Sequence, residues 1–531
     1  MALAKSLAVS LLGLTATAIE VEADISSQLP NFVLVGLPDA SLSEATARVR
    51  AAVVNSGFVW PARRVTVNLS PASVPKQGSS FDLAIAIAVL AANGVVRPNS
   101  LADCVLIGEL TLDGTVRAVN GILPMVKAAR DLGAARVMVS RESLAEASLI
   151  AGIHVVSVEN LKQAVGWFNM TWAEEAGESL NAGRFFNRSV GANVEGTRDN
   201  GAAPELADVI GQELAVNALL VAAAGSHHMM MVGTPGAGKT MLAERLPGLL
   251  PDLSIEAALE TAAVASIAGR SVFATDSAAL DLRPKFEAPH HSSSMSAIVG
   301  GGLRTPKPGA ISLAHNGVLF LDEAPEFQTP VLDSLRQPLE SAEIRLHRAA
   351  GTAVFPARFQ LVLAANPCPC GKAFAVEGCK CTAISRARYG QKLSGPLLDR
   401  IDIRLVVQPV SVLKQKMHID NIGAPALTTA EARERVNDAR QAASARLKKT
   451  PWQTNSQVSA NYLKGVLKLP GQVTRALDIA LNRGRISMRG YDRCLRLSWT
   501  LADLNGRTAP IAEDVAAAVL LRGSDNPLGL Q

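Results

Sequence analysis

The stretch MMMVGTPGAGKTMLAERL, residues 229–246, constrains this chain more than any other. Four apolar residues run into Gly233-x4-Gly238-Lys239-Thr240 and then into a helix-forming segment. That strand–loop–helix context is what a phosphate-binding loop requires. Glycines let backbone N–H groups turn inward around phosphate oxygens, and the helix N-terminus adds the positive end of its dipole. Gly233, Thr234, Pro235, Gly236, Ala237 and Gly238 are therefore expected to cradle ATP. Lys239 is expected to reach the β and γ phosphates, and Thr240 to ligate Mg2+.

Later motifs extend this reading. In NGVLFLDEAPEF, an apolar run of the kind found in buried parallel strands ends in Asp322 and Glu323. Acids at the carboxyl end of such a strand face the ligand crevice of an open α/β sheet. Asp322 is expected to hold Mg2+ and Glu323 to activate the attacking water. The strand-like FQLVLAANP ends in Asn366, a neutral amide suited to sensing the γ-phosphate. SGPLLDRIDIRLVV sets Arg400 before another strand, where it can serve a neighbouring subunit's phosphates and complete the site only in a ring. ISMRGYDRCLRL offers Arg489 at a helix start as a second phosphate sensor. Taken in this order, the motifs compose an AAA+ module.

At 531 residues the chain exceeds one compact core. Residues 1–165 read as one α/β domain, in which NFVLVGLP, RVTVNLSP, VLIGELTLDG, ARVMVS and HVVSV alternate with helical stretches. Residues 166–203 are rich in Gly, Asn, Ser and charge and read as a linker. The AAA+ core spans 204–410, a connector 411–427, and a helical region 428–531. The opening MALAKSLAVSLLGLTATA imitates a secretory signal. AIEVEADI, however, continues from it with the alternation of a half-buried strand, and the strand reading is preferred. The longest apolar run elsewhere, LAIAIAVLAANGVV, falls short of the roughly 20 residues a membrane span needs and reads as a buried helix. A net charge of +5 permits an anionic partner without demanding one.

NPCPCGKAFAVEGCKC inserts Cys-x-Cys, eight residues and Cys-x-Cys at 368–381. Cys368, Cys370, Cys379 and Cys381 supply enough thiolates to close a tetrahedral Zn2+ site. A redox disulfide switch is the alternative. Clustered thiols favour the reducing cytoplasm. The isolated Cys104 and Cys494 read as packing residues.

In EIRLHRAAGTAVFPARF an alternating run meets a turn and a second run, placing Arg345, His347 and Arg348 near a hairpin tip. Basic side chains on a narrow projection suit sequence-independent DNA binding. The insert RPKFEAPHHSSSMSAIVGGGLRTPKPG adds Lys285, His290, His291, Arg304 and Lys307. Adjacent residues seldom converge on one ion, so the His290–His291 pair is not read as a metal site.

The chain resembles the magnesium-chelatase-like AAA+ ATPases of the ComM/YifB family over nearly its whole length. LPNFVLVGLPDASLSEATARVRAAVVNSGF, RRVTVNLSPASVPKQGSSFDLAIA, PGAISLAHNGVLFLDEAPEF, NPCPCG and SGPLLDRIDI carry the likeness. The resemblance implies a hexameric ring ATPase moving on DNA, of the helicase or branch-migration type that serves recombination or natural transformation. Lys239, Thr240, Asp322, Glu323, Asn366, Arg400 and Arg489 would hold the usual AAA+ roles. It also implies a Lon-protease-like fold, the ribosomal S5 domain 2-like class, for the N-terminal domain, and a helical lid at the C-terminus. The protease serine matches Ser80, but Leu123 stands where its lysine partner should be, with Lys127 four residues on. A serine without a base is a poor nucleophile, so the domain is expected to be a scaffold or a docking platform for partner proteins. The alternatives to a DNA motor are a chelatase-like motor acting on a partner protein and, less favoured, an ATP-dependent protease.

Overall fold

The computed structural model describes residues 2–36, 40–76, 78–171, 204–274, 279–302, 306–348, 351–372, 378–410 and 426–523. Most of the expected linker, most of the connector, Arg304 and the hairpin-tip residues Ala349 and Ala350 lie outside the described residues.

The first domain is built on a seven-stranded mixed sheet. Its strands are β1 (Ala2–Leu12), β2 (Thr15–Ser26), β3 (Asn31–Val35), β4 (Arg64–Ser70), β5 (Cys104–Leu106), β8 (Arg136–Ser140) and β9 (His154–Val158), in the order β3-β4-β2-β1-β5-β8-β9. A short ribbon of β6 (Glu109–Leu110) and β7 (Val116–Arg117) sits beside it. The opening apolar stretch is β1, paired antiparallel with β2 from Ala2↔Ile25 to Leu12↔Thr15. On β2 the period-two pattern buries Ile19, Val21, Ala23 and Ile25. The helix Asp82–Ala92 is buried along its whole length, which accounts for its continuous apolar sequence. The helix Leu161–Phe168 runs past the expected linker start at 166, because Val165 and Phe168 are buried in this core.

The second module holds five parallel strands: β10 (Met229–Val232), β11 (Phe286–Glu287), β14 (Val318–Leu321), β17 (Gln360–Ala365) and β18 (Ile403–Val406). Their order is β11-β14-β17-β10-β18, so the strand ending in Asn366 lies between the phosphate-loop strand and the acidic strand. Both faces are covered. Met229, Met231 and Phe320 enter one apolar layer, shared with the C-terminal helices, and Met230, Val232, Leu319 and Leu321 enter the other. A ribbon of β12 (Gly300–Gly301) and β13 (Lys307–Pro308) lies near the hairpin of β15 (Glu343–Arg348) and β16 (Gly351–Pro356).

The C-terminal region is a helical bundle comprising Thr429–Leu447, Ala460–Lys464, Gly471–Asn482, Met488–Leu504 and Ala512–Arg522. Its first helix opens with a capping box formed by Thr428 and Glu431. Cys104 and Cys494 are both buried, as packing residues would be. No helix among the described residues is long and apolar enough to cross a membrane.

The helix Ile255–Ala268 joins the first domain to the second. It buries Ala258, Ala262 and Ala265 in one apolar cluster with Ile122, Leu123 and Val126. The Gly121 N–H donates to the Ser266 carbonyl at 3.0 Å, and the Leu123 N–H to Ser266 Oγ at 3.4 Å.

Candidate active site

The carboxyl ends of β10, β14 and β17 meet at a cleft of about 410 Å3, lined by residues 235–241 with Asp322, Glu323, Ala365 and Asn366. Gly238 takes φ +86° immediately before the helix Lys239–Leu249, a conformation that spares glycine the steric cost of a Cβ. Lys239 Nζ donates to the carbonyls of Gly233 (2.8 Å) and Thr234 (3.0 Å) and to Asn366 Oδ1 (3.1 Å). Burial holds this ammonium below the usual lysine range. Thr240 Oγ1 donates to Asp322 Oδ2 at 2.7 Å, so hydroxyl and carboxylate already face the same point. The Thr234 hydroxyl is buried without a hydrogen-bond partner among the described residues, a spare polar group beside a site for anionic oxygens.

Glu323 follows in a left-handed conformation (φ +49°), its N–H donating to Asp322 Oδ1 at 2.8 Å. Its Oε2 lies 3.3 Å from His291 Nδ1. His291 in turn stacks near His290 and meets Phe327 edge-on. Gln212 Nε2 supports the loop from behind by donating to the Ala237 carbonyl at 2.7 Å. Neither His291 nor Gln212 carries a motif signature, and both were missed as parts of this site.

Arg400 and Arg489 stand elsewhere. Arg400 pairs with Glu340, donates to the Pro396 carbonyl, and lines a separate cleft of about 1080 Å3. Arg489 donates to Asp399 Oδ2 at 2.8 Å, and its side chain is 74% exposed. Neither lines the phosphate-loop cleft of its own chain.

The four cysteines come together. Cys368 Sγ lies 3.3 Å from Cys370 Sγ and 3.5 Å from Cys379 Sγ, and all four sulfurs fall within 4.8 Å of one another. Zn–S bonds of about 2.3 Å put tetrahedral thiolates about 3.8 Å apart, so the donor set fits a closed zinc site. The Lys372 backbone N–H and the neighbouring thiols pull the Cys370 thiol down to about 6. The loop also touches the phosphate cradle, since a Cβ on Gly371 would stand 2.6 Å from Pro235 Cδ.

On the hairpin, Ile344 and Leu346 point inward while Arg345, His347 and Arg348 are exposed. Arg345 pairs with Glu343 at 2.6 Å, His347 Nδ1 lies 2.9 Å from Thr352 Oγ1, and Arg348 donates to the His347 carbonyl at 3.0 Å. In the insert, Lys285 pairs with Asp281 at 2.7 Å, and His290 Nδ1 lies 2.7 Å from Ser292 Oγ. Lys307 sits exposed on β13. In the first domain Ser80 is buried, and Leu123 is 1% exposed within the contact with the helix Ile255–Ala268. Lys127 lines the same cleft as Arg400.

Three family descriptions match successive parts of the chain. Magnesium chelatase, subunit ChlI, covers residues 205–415; Subunit ChlI of Mg-chelatase covers 21–143; and the ChlI C-terminal family covers 426–522. The Competence protein ComM of Haemophilus influenzae is 39% identical over 508 residues, 96% of this chain and 95% of its own length. The chain belongs to the ComM/YifB family of magnesium-chelatase-like AAA+ proteins. The YifB protein of Escherichia coli is 38% identical over 520 residues, covering 97% of this chain and 96% of its own. An uncharacterized protein of Mycobacterium tuberculosis is 47% identical over 526 residues, 98% and 99% of the two chains. A shorter likeness, 43% over 67 residues and 12% of this chain, links this family member to the Archaeal Lon protease of Archaeoglobus fulgidus.

Proposed function

We propose that this chain is an ATPase that assembles into a homohexameric ring and translocates on DNA in the cytoplasm. One observation carries the reading: Lys239, Thr240, Asp322, Glu323 and Asn366 gather at one cleft, whereas Arg400 and Arg489 stand apart from it. Lys239 exchanges its three oxygen partners for the β and γ phosphates. Thr240 and Asp322 hold Mg2+, which when bound neutralises charge on the phosphates. Glu323 takes a proton from the attacking water, and Asn366 reports whether the γ-phosphate is present. A neighbouring subunit supplies Arg400, with Arg489 beside it, so each site is completed across an interface.

The exposed Arg345, His347 and Arg348 grip DNA phosphates without reading sequence. The relative named for competence supports a role in DNA processing during recombination or natural transformation. The four cysteines hold a structural Zn2+ that pins the loop between Asn366 and Arg400. The first domain, in which Leu123 displaces the protease lysine, is a scaffold that docks partner proteins.

ATP hydrolysis by the purified protein, with and without single-stranded and branched DNA, tests this. Lys239→Ala should abolish hydrolysis, and Arg345→Ala with Arg348→Ala should remove its stimulation by DNA. Hydrolysis indifferent to every DNA, yet lost in Lys239→Ala, refutes the DNA motor and favours a motor acting on a partner protein.

A further inference from the structure

The helix Met488–Leu504 carries Arg489, Arg493 and Thr500 at spacings of four and seven residues, which places them on one side of it. All three address the segment that presents Arg400. Arg489 bonds Asp399, as described above. Arg493 Nη1 donates to the Arg400 backbone carbonyl at 3.2 Å and also to Asp402 Oδ1. Thr500 Oγ1 is 2.8 Å from His227 Nε2, and the other nitrogen of that ring is 3.1 Å from Asp402 Oδ2.

The last helix of the bundle ends in Arg522, 1% exposed, which donates to the Ile401 carbonyl. Four consecutive residues, 399–402, are thus each held by an arginine of the C-terminal bundle. From below, the Asp402 and Ile403 N–H groups both donate to the His228 carbonyl, at 3.0 and 3.1 Å.

Such an arrangement is costly if stability is its only product. Burying Arg522 and Asp402, with Arg493 half-buried beside them, takes charge out of water, and apolar replacements of buried ion pairs are often neutral or stabilising. What charged forks provide instead is direction, because a guanidinium fixes the carbonyl it bonds in distance and angle. No residue of the bundle lines the chain's own phosphate cleft among the described residues.

We infer that Arg493 and Arg522 are positioning residues that aim Arg400, so that the placement of the C-terminal bundle in one subunit sets the rate of hydrolysis in the next. This rests on the reading of Arg400 as a residue acting across the ring. The guanidinium of Arg400 is parked on Glu340 and the Pro396 carbonyl, and its backbone is what the bundle holds. A shift of the bundle relative to β18 therefore moves the base from which Arg400 reaches out.

Full-length Arg493→Gln should bind a fluorescent ATP analogue with wild-type affinity and form rings. Its kcat should fall by about 10- to 100-fold, the scale on which a misplacement near 1 Å acts. The decisive measurement mixes subunits. Lys239→Ala supplies an intact Arg400 segment but a dead site, and Arg493→Gln supplies the reverse. A one-to-one mixture should recover hydrolysis, to about a quarter of the wild-type rate if subunits exchange randomly around a heterologous ring.

Arg400→Ala mixed with Lys239→Ala separates the two levels of the argument. If that pair fails to recover, the trans role of Arg400 is wrong and the inference falls with it. If it recovers while Arg493→Gln with Lys239→Ala does not, the positioning role alone is refuted. Wild-type kcat in Arg493→Gln refutes it too. Should Arg493→Gln not fold, Arg493→Lys, which keeps the charge beside Asp402 but loses the planar fork, takes its place with the same expected outcomes.

Discussion

Two glycines of the cysteine loop permit a controlled test of whether that loop braces the phosphate cradle. Gly371 and Gly378 adopt nearly the same left-handed backbone, φ +73° and +74°. Alanine at either position therefore carries a similar conformational penalty, about 1–2 kcal/mol. The surroundings differ. A Cβ at 378 meets nothing within 4 Å, whereas at 371 it would stand 2.6 Å from Pro235 Cδ and 2.7 Å from Cγ. Ordinary contact begins near 3.4 Å, so something must retreat by about 0.8 Å. Gly371 follows Cys370 directly and is held by the thiol cluster, so the displacement falls on the proline ring and the loop that carries it. Losing one backbone N–H bond to a charged phosphate costs about 1.5–3 kcal/mol. Titration with a fluorescent ATP analogue should accordingly show Gly371→Ala weakened by at least about tenfold. Gly378→Ala should stay within about twofold, with both proteins melting alike. Equal affinity in the two variants would refute the bracing argument, since the cysteine loop would then be the part that yields.

Two further outcomes are expected. His228 accepts the Leu361 N–H at Nδ1 (3.0 Å) and is pushed by burial from 6.5 down to about 4, so folding favours the neutral ring. Its contribution is complete above pH 6.5 and is lost as pH falls toward 4, about 2 kcal/mol between pH 7 and 5. His228→Asn keeps the acceptor without the titration, and denaturant unfolding of both proteins at pH 7 and 5 should show the smaller loss in the variant; equal losses count against the assignment. Elemental analysis should find about one zinc per chain, released as a thiol reagent modifies four cysteines. Metal-free protein with disulfides at these positions would establish the redox alternative.

Much of the P-loop module was legible because its chemistry is local. Lys239, Thr240, Asp322 and Asn366 each end or follow an apolar run, and a parallel sheet brings the ends of such runs to one edge. The first domain's alternating strands and the fully apolar helix Asp82–Ala92 were equally plain. Contacts between distant segments left no trace. His291 reaches Glu323 from an insert whose composition says only loop, and Gln212 reaches Ala237 from before the preceding helix. Arg493 and Arg522 stand on the polar side of helical segments, with no motif to mark them. Only the tertiary fold reveals that this side faces a strand end rather than water.

In the first domain Leu123, at the position where the resemblance to Lon proteases implies a lysine, opens the helix Ile122–Asp131. Here it is buried against the helix Ile255–Ala268, with its N–H on Ser266 Oγ. A lysine would have to carry its charge into that apolar contact, a burial tolerated only with a partner. The same domain reaches the module a second time. The β1–β2 turn lays Leu11, Leu12 and Leu14 against the cluster that holds Ile344, Leu346, Ala353 and Phe355 of the hairpin. A Cβ on Gly13 would come within 2.9 Å of the Val354 carbonyl, so backbone meets backbone there without a side chain between them. Two contacts on different elements, one on the helix beside the sheet and one at the hairpin, fix the domain against rotation about either.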